Sequence, residues 1–175
     1  EISSSDVETV RNEAYVVDNA LHAFLGMLKS PEVSVFMSYF WTFIENYGVY
    51  NAMRSMFGNN LEAIIEQLER SKILILPLFS TLKQHWGLCI LDKETASIRL
   101  YDSLPNMRAF QGRIRTIKDW AETSKEAHGL QSWPSTWTVD PRMRYLPIQA
   151  NVHASGGHVM LIAYFYAKGK VMPPY

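Results

Sequence analysis

The chain has 175 residues, of which 47% are hydrophobic and 13% aromatic, which is enough to bury one sizeable core and hardly two. Its 17 basic and 17 acidic residues leave no net charge, so no global field draws it to nucleic acid or to an anionic membrane, and we expect neither as a partner. The single cysteine, Cys89, excludes an internal disulfide, and no residues share zinc-finger spacing, so we expect no metal, no cofactor and a reducing compartment.

The chain opens with a polar, serine-rich segment, residues 1–14, which we treat as a lead-in to one domain over residues 15–175. From Val16 to Leu28, apolar residues recur about every 3.6 positions, which predicts an amphipathic helix. Asp18 or Asn19 could cap the start of this helix.

The middle of the sequence alternates helical and extended patterns. β-branched and aromatic residues over 33–48 predict a strand that turns helical, and residues 61–70 predict a helix. The apolar run KILILPLF predicts a buried strand. HWGLCILD and SIRLYD predict two more strands, which form a hairpin around the polar KET.

The last part of the sequence is mostly helical. Residues 107–128 predict a helix, and RYLPIQ predicts a short strand or extended segment. Gly156–Ala167 is apolar nearly all round, which predicts a helix buried in the core. Helices first, then a central run of strands, then helices again predict an α+β fold.

The hairpin places a histidine opposite an aspartate if its turn is centred between Lys93 and Glu94. His85 then faces Asp102, with Cβ atoms ~5 Å apart, so the carboxylate can hold one imidazole nitrogen and leave the other free as a base. The same register pairs small and apolar residues, Gly87 with Leu100, Cys89 with Ile98 and Leu91 with Ala96. The alternative is a strand-end histidine and a turn aspartate that never meet.

A nucleophile for this base is not found at Cys89. Four strand residues separate Cys89 from His85, which puts the two side chains on one face but ~13 Å apart, so Cys89 is interpreted as a core residue. Ser155 stands at the start of the predicted buried helix, where backbone N–H groups and the helix dipole favour an anion. Such a position would activate a cysteine but not a serine. Gln149 has a side-chain amide that could reach a developing oxyanion.

Three separated motifs resemble those of the ubiquitin-like-protein-specific proteases, the SUMO or sentrin-specific protease family within the adenain-like cysteine proteases. The chain has HW from His85, YDS from Tyr101 and QANVHASG from Gln149, where the family has His-Trp, Tyr-Asp-Ser and Gln-x-Asn-x-x-Asp-Cys-Gly. Upstream, YVVDNALHAFLGML resembles the family's opening Trp-Leu-x-Asp helix. The resemblance covers about residues 15–166 and implies a single papain-like α+β domain with a central mixed sheet and the nucleophile position at the start of a buried helix.

The resemblance also implies roles for individual residues. His85 would be the general base, Asp102 its orienting partner, Gln149 the oxyanion-hole donor and position 155 the nucleophile. The expected reaction is cleavage after the C-terminal Gly-Gly of a ubiquitin-like modifier or its conjugates, with SUMO first and ubiquitin or NEDD8 as alternatives. The expected location is inside the cell, in the nucleus or cytoplasm, or in a host cell if the protein is a secreted effector.

Substrate contacts are implied in the same way. Trp86 resembles the tryptophan that roofs a narrow tunnel for the Gly-Gly tail, and Tyr15 aligns with the family's other tunnel tryptophan. Asp18 resembles a position that contacts the modifier, with a helix cap as its competing role. Gly156, next to the nucleophile position, completes the expected substrate-binding set.

Two departures from the family pattern stand side by side: Ser155 replaces the nucleophilic cysteine, and Ala154 replaces the usual aspartate. The leading interpretation is an engineered Cys-to-Ser replacement that leaves this form inactive; a naturally inactive relative and a serine hydrolase are the alternatives. A different class of function is a binding module that holds a ubiquitin-like protein without cutting it. An acetyltransferase of the same structural clan would need a basic pocket for acetyl-coenzyme A or an inositol phosphate.

Overall fold

A five-stranded mixed sheet separates two layers of helices. The structure is a computed structural model that describes residue 8 and residues 16–104, 110–140 and 154–170. Across the sheet the strands lie in chain order: β1 (Val33–Val35), β2 (Ile73–Ser80), β3 (His85–Asp92), β4 (Ser97–Tyr101) and β5 (Thr138–Val139). β3 is antiparallel to both β2 and β4, whereas β1 and β5 run parallel to their neighbours. The predicted central mixed sheet is confirmed.

Helices lie before, between and after these strands. They are α1 (Asp18–Gly26), α2 (Phe40–Phe57), a short 3₁₀ turn (Gly58–Asn60), α3 (Leu61–Arg70), α4 (Gln111–His128) and α5 (Ser155–Ala167). This order confirms the predicted α+β class. The predicted extended segment RYLPIQ falls outside the described residues, as does almost all of the predicted lead-in. Over the described ranges, no helix is both long and apolar enough to cross a membrane.

The two faces of the sheet bury separate clusters of side chains. Because side chains alternate along a strand, Cys89 and Leu91 of β3 face α2 and α4, whereas Trp86, Leu88 and Ile90 face α1 and α5. Cys89 is fully buried, and burial raises the pKa of its thiol. These findings agree with its interpretation as a core residue.

Helix α5 is buried on one side. Its inner side is formed by Val159, Met160, Ile162 and Ala163, which pack on the sheet and against α1. Gly157 and Leu161 are exposed, so the helix predicted to be buried in the core is buried along one side and open on the other. The outer side of the helix is apolar as well, but a helix that covers a sheet contacts the sheet only along one stripe of its surface.

The β3–β4 hairpin has a four-residue turn, residues 93–96. Leu88 pairs with Tyr101 and Cys89 with Leu100, so the predicted register was wrong by two residues. The turn chemistry explains the difference, because the Thr95 N–H donates to Asp92 Oδ1 and Ala96 takes a positive φ of 49°. A shift of two leaves every side chain on its predicted face, since strands have a period of two.

Candidate active site

His85 and Asp102 form a buried hydrogen-bonded pair at one end of the sheet. His85 is the first residue of β3, and Asp102 follows the last residue of β4. His85 Nε2 lies 2.6 Å from Asp102 Oδ1, and the two side chains are 1% and 3% exposed. In the observed register Asp102 lies opposite Gly87, so the imidazole and the carboxylate meet diagonally across the strands. The alternative in which they never meet is excluded.

The carboxylate fixes both the orientation and the tautomer of the imidazole. The Leu104 N–H donates to Asp102 Oδ1 at 2.9 Å, and this backbone hydrogen bond fixes the position of the carboxylate. When Asp102 is ionised, the proton lies on His85 Nε2 and the lone pair on Nδ1. Nδ1 is buried and has no hydrogen-bond partner among the described residues. A buried ring nitrogen with a free lone pair is what a general base requires.

Position 155 lies beside this pair. Ser155 is the first residue of α5, is fully buried, and its Oγ accepts a hydrogen bond from the Trp86 N–H at 3.2 Å. Among the described residues no side chain caps the helix, and its first N–H groups and the positive end of its dipole favour an anion there. In the described structure the Ser155 hydroxyl is therefore held by the strand and is not hydrogen-bonded to His85 Nδ1.

Val16 joins the start of α5 to β3. Its carbonyl accepts a hydrogen bond from Trp86 Nε1 at 3.0 Å, and the buried indole also packs on Phe79 with ring centroids 4.6 Å apart. A Cβ at Gly156 would lie 2.4 Å from Val16 Cβ, so glycine is required for this close approach. Trp86 and Gly156 thus have structural contacts, and their predicted contacts with substrate stay predictions.

Asp18 lies on the surface in the first turn of α1. Val17 is the N-cap residue and no side chain caps the helix, so the prediction that Asp18 or Asn19 caps it was wrong. Asp18 accepts a hydrogen bond from Ser38 Oγ at 3.0 Å, and this contact takes the place of the cap. Its carboxylate is 59% exposed and lies 3.1 Å from His22 Nε2.

Two of the predicted site residues lie outside the described residues. They are Gln149, the expected oxyanion-hole donor, and Tyr15, the expected tunnel residue. Their roles stay predictions.

One neighbour of the His85–Asp102 pair was missed in the sequence. The Phe110 ring stacks on the His85 imidazole, with centroids 5.8 Å apart and planes inclined by 26°. Phe110 directly precedes α4, and nothing in its own sequence context marks it. A signal was present in Gly87, because a glycine inside a buried strand often marks a close approach by another group.

Charged side chains cluster elsewhere, around a cavity of about 440 Å³ at the opposite end of β3 and α5. Lys72 pairs there with Glu32 and Glu94, and Arg99 with Asp92. Neighbouring acids thus offset Lys72 and Arg99, and Lys170 also lines the cavity, so the charge here is mixed, unlike the basic pocket that the acetyltransferase alternative needs. Within the described ranges, no three His, Cys, Asp or Glu residues are grouped to hold a metal ion.

A buried histidine–aspartate pair beside the N-terminus of a helix is the arrangement of a cysteine peptidase. The family comparison is specific: the model of the Ulp1 protease family, C-terminal catalytic domain, matches residues 27–173. The chain belongs to this family, and the resemblance noted in the sequence is confirmed.

Solved structures share the fold. The SUMO protease Ulp1 with its catalytic cysteine oxidised to a sulfenic acid matches with a TM-score of 0.77 at 19% identity, over 98% of this chain and 74% of that one. The Ulp1 protease domain in complex with Smt3, the yeast ortholog of SUMO, gives 0.72 at 18% identity, over 97% and 73%. The catalytic domain of a Chaetomium thermophilum Ulp1-like SUMO protease gives 0.69 at 15%, over 90% and 64%. No curated protein sequence matches the chain.

Proposed function

We propose that this domain, with cysteine at position 155, is a thiol peptidase and isopeptidase that cleaves after the C-terminal Gly-Gly of a ubiquitin-like modifier. SUMO is the first candidate, and ubiquitin and NEDD8 are the alternatives. The observation that carries the proposal is the buried His85–Asp102 pair, whose free Nδ1 lies at the end of the sheet that contacts the start of α5. The natural setting of such a thiol is a reducing compartment, the nucleus or the cytoplasm.

The proposed mechanism begins with transfer of the thiol proton from a cysteine at position 155 to His85 Nδ1. The thiolate attacks the carbonyl of the terminal glycine, and helix N–H groups together with Gln149 hold the oxyanion. The imidazolium then protonates the leaving lysine or peptide amine. Water hydrolyses the resulting thioester with His85 again as base, which frees the modifier and restores the thiol.

We further propose that the chain with Ser155 is inactive. A helix N-terminus stabilises a thiolate, but a serine hydroxyl is far too weak an acid to ionise there. The Ser155 Oγ is also engaged by the Trp86 N–H and makes no hydrogen bond to the described base. The serine therefore lacks the activation that a thiol at the same position would gain from the helix N-terminus.

Installing the cysteine tests both proposals. Ser155→Cys and the unaltered chain are assayed side by side on fluorogenic SUMO, ubiquitin and NEDD8 conjugates. We expect cleavage by Ser155→Cys alone, with the preferred conjugate naming the substrate. Ser155→Cys with His85→Ala is the matched control and should be silent. Equal cleavage by the serine chain would overturn its assigned inactivity.

A binding module is the second candidate, favoured by Ser155 itself. The unaltered chain would then hold one modifier, measured by calorimetry with unconjugated SUMO, ubiquitin and NEDD8. Tight binding of one modifier, together with no cleavage by Ser155→Cys, would replace the protease proposal with this one. If Ser155→Cys cleaves the conjugate, binding of the modifier by the unaltered chain is instead the binding of a substrate or product by an inactive protease.

A further inference from the structure

The His85 imidazole is held by only one hydrogen bond among the described residues. Nε2 is bonded to Asp102 Oδ1, and Nδ1 has no partner. A ring held at one atom can pivot about that contact, which would change the direction in which the free Nδ1 points. Something else must fix the plane of the ring.

Phe110 supplies a flat surface for that plane. It is fully buried, and its ring lies 5.8 Å from the His85 ring centroid with only 26° between the planes. Offset stacking of this kind restrains tilting of either ring. The same ring covers the pair from one side, consistent with the 1% and 3% exposure of His85 and Asp102.

Gly87 makes room for the Phe110 ring. A Cβ at position 87 would lie 2.5 Å from Phe110 Cε2 and 2.7 Å from Cδ2, far inside van der Waals contact. Because Gly87 is two residues from His85 on the same strand, the ring spans both positions on one face of the sheet. Any side chain at position 87 would displace the ring from His85.

Arg113 holds the ring from another direction. Its guanidinium carbon lies 5.5 Å from the Phe110 ring centroid and 5.4 Å from that of Trp41. One guanidinium N–H donates to the Phe79 carbonyl at 2.9 Å, which ties Arg113 to β2. The Phe110 ring is therefore clamped between the sheet and a tethered cation.

We propose that Phe110, seated in the gap at Gly87 and clamped by Arg113, is a positioning residue that fixes the plane of the His85 imidazole. It holds the imidazole in the orientation that keeps Nε2 on Asp102 and leaves Nδ1 free. The catalytic consequence rests on the proposed protease function, whereas the effect on the ring does not.

The test follows the imidazole itself by ¹H–¹⁵N NMR on histidine-labelled chain with Ser155 in place, so no activity is needed. In the unaltered chain we expect one tautomer, protonated at Nε2, with slow exchange of that proton. Phe110→Met keeps apolar bulk but removes the flat ring, and it should average the two tautomers and speed proton exchange about tenfold or more. Phe110→Leu should do the same.

Two further variants separate positioning from general core damage. Phe40→Leu removes the same atoms from an equally buried ring in the same cluster and should leave the His85 signals unchanged. Gly87→Ala should reproduce the Phe110→Leu spectrum, and Gly87→Ala with Phe110→Leu should be no worse than either single variant because the clash is gone. Unchanged His85 signals in a folded Phe110→Met chain would overturn the proposal, and so would equal changes in Phe40→Leu.

The kinetic arm uses Ser155→Cys. Adding Phe110→Met should lower kcat about tenfold or more and leave KM unchanged, because the ring does not contact substrate. If Ser155→Cys alone is inactive, the proposed protease function fails while the NMR arm still decides the role of Phe110.

Discussion

Two histidine–aspartate pairs with similar atomic separations lie at different places in this molecule. His85 and Asp102 are 2.6 Å apart and buried between strands, whereas His22 and Asp18 are 3.1 Å apart on one helix, with side chains 11% and 59% exposed. Both ring nitrogens of His22 are engaged, Nε2 by Asp18 and Ser38 and Nδ1 by Met37 Sδ at 2.6 Å. His85 keeps one nitrogen free beside a helix N-terminus. An unengaged ring nitrogen, more than the pair itself, is what a general base requires.

The largest expected effect comes from replacing the aspartate of each pair by asparagine and comparing the two losses of activity. In the Ser155→Cys form, Asp102→Asn should lower kcat by about 10⁴-fold, because the neutral amide no longer fixes the tautomer of His85. Asp18→Asn should change kcat/KM by no more than about fivefold, through KM, as an exposed charge does. Steady-state kinetics on the preferred conjugate measure both. A comparable loss from Asp18→Asn would contradict the distinction.

A smaller effect is expected at Trp86, which links β3 to the segment leading into α1. Trp86→Ala in the Ser155→Cys form should cut cleavage roughly 100-fold if the indole roofs the substrate tunnel and, through Val16, sets the position of the start of α5. Trp86→Phe keeps an aromatic ring but loses the Nε1 donor, at a cost of about 1 kcal/mol in stability. Full activity of a folded Trp86→Ala chain would rule out the tunnel role.

Neighbouring glycines of α5 offer a matched pair for stability. Gly156→Ala should destabilise the fold by about 1–3 kcal/mol, since its Cβ would meet Val16 Cβ at 2.4 Å. At the exposed Gly157 a Cβ meets nothing within 4 Å, so Gly157→Ala should stabilise by about 1 kcal/mol or less. Urea denaturation of both variants measures the difference. Equal changes in the free energy of unfolding would show that Val16 can move away from the added methyl group without loss of stability.

The smallest expected effect is the response of the His22–Asp18 pair to pH. Burial lowers the pKa of His22 from its ordinary value of 6.5, partly offset by Asp18. The folded state thus favours the neutral imidazole, and this contribution to stability is present above pH 6.5 and lost as pH falls through the folded-state value. In Asp18→Asn the pKa should fall further, as followed by NMR titration. A rise would mean that Asp18 does not stabilise the imidazolium.

Sequence reasoning located the parts of the site that depend on face and order. A histidine and an aspartate on one face of a hairpin meet even when the register is misjudged, because the shift of two residues preserved the face. The start of α5 at Ser155 followed from the change from a polar loop to an apolar helix.

The remaining features depended on contacts that no local pattern encodes. Phe110 reaches His85 only because α4 packs across the sheet, and its partner Gly87 lies far away in the sequence. The cap of α1 was misjudged because Asp18 turns to Ser38, which a separate segment brings near. The length of the β3–β4 turn was also predicted wrongly, because Asp92 accepts a hydrogen bond that stabilises a longer turn than the predicted one.

The burial of Cys89 also makes position 155 chemically addressable. Cys89 is the only cysteine of the chain, lies in the core and has a raised thiol pKa. Position 155 is as buried as Cys89, but a thiol there would stand at a helix N-terminus, which lowers the thiol pKa, whereas the pKa of Cys89 is raised. A small alkylating reagent applied to folded Ser155→Cys should therefore label one sulfur per molecule, and the unaltered chain should serve as its blank. The amount of reagent consumed would then count the reactive thiols at position 155, so the turnover number could be expressed per reactive thiol instead of per mole of protein.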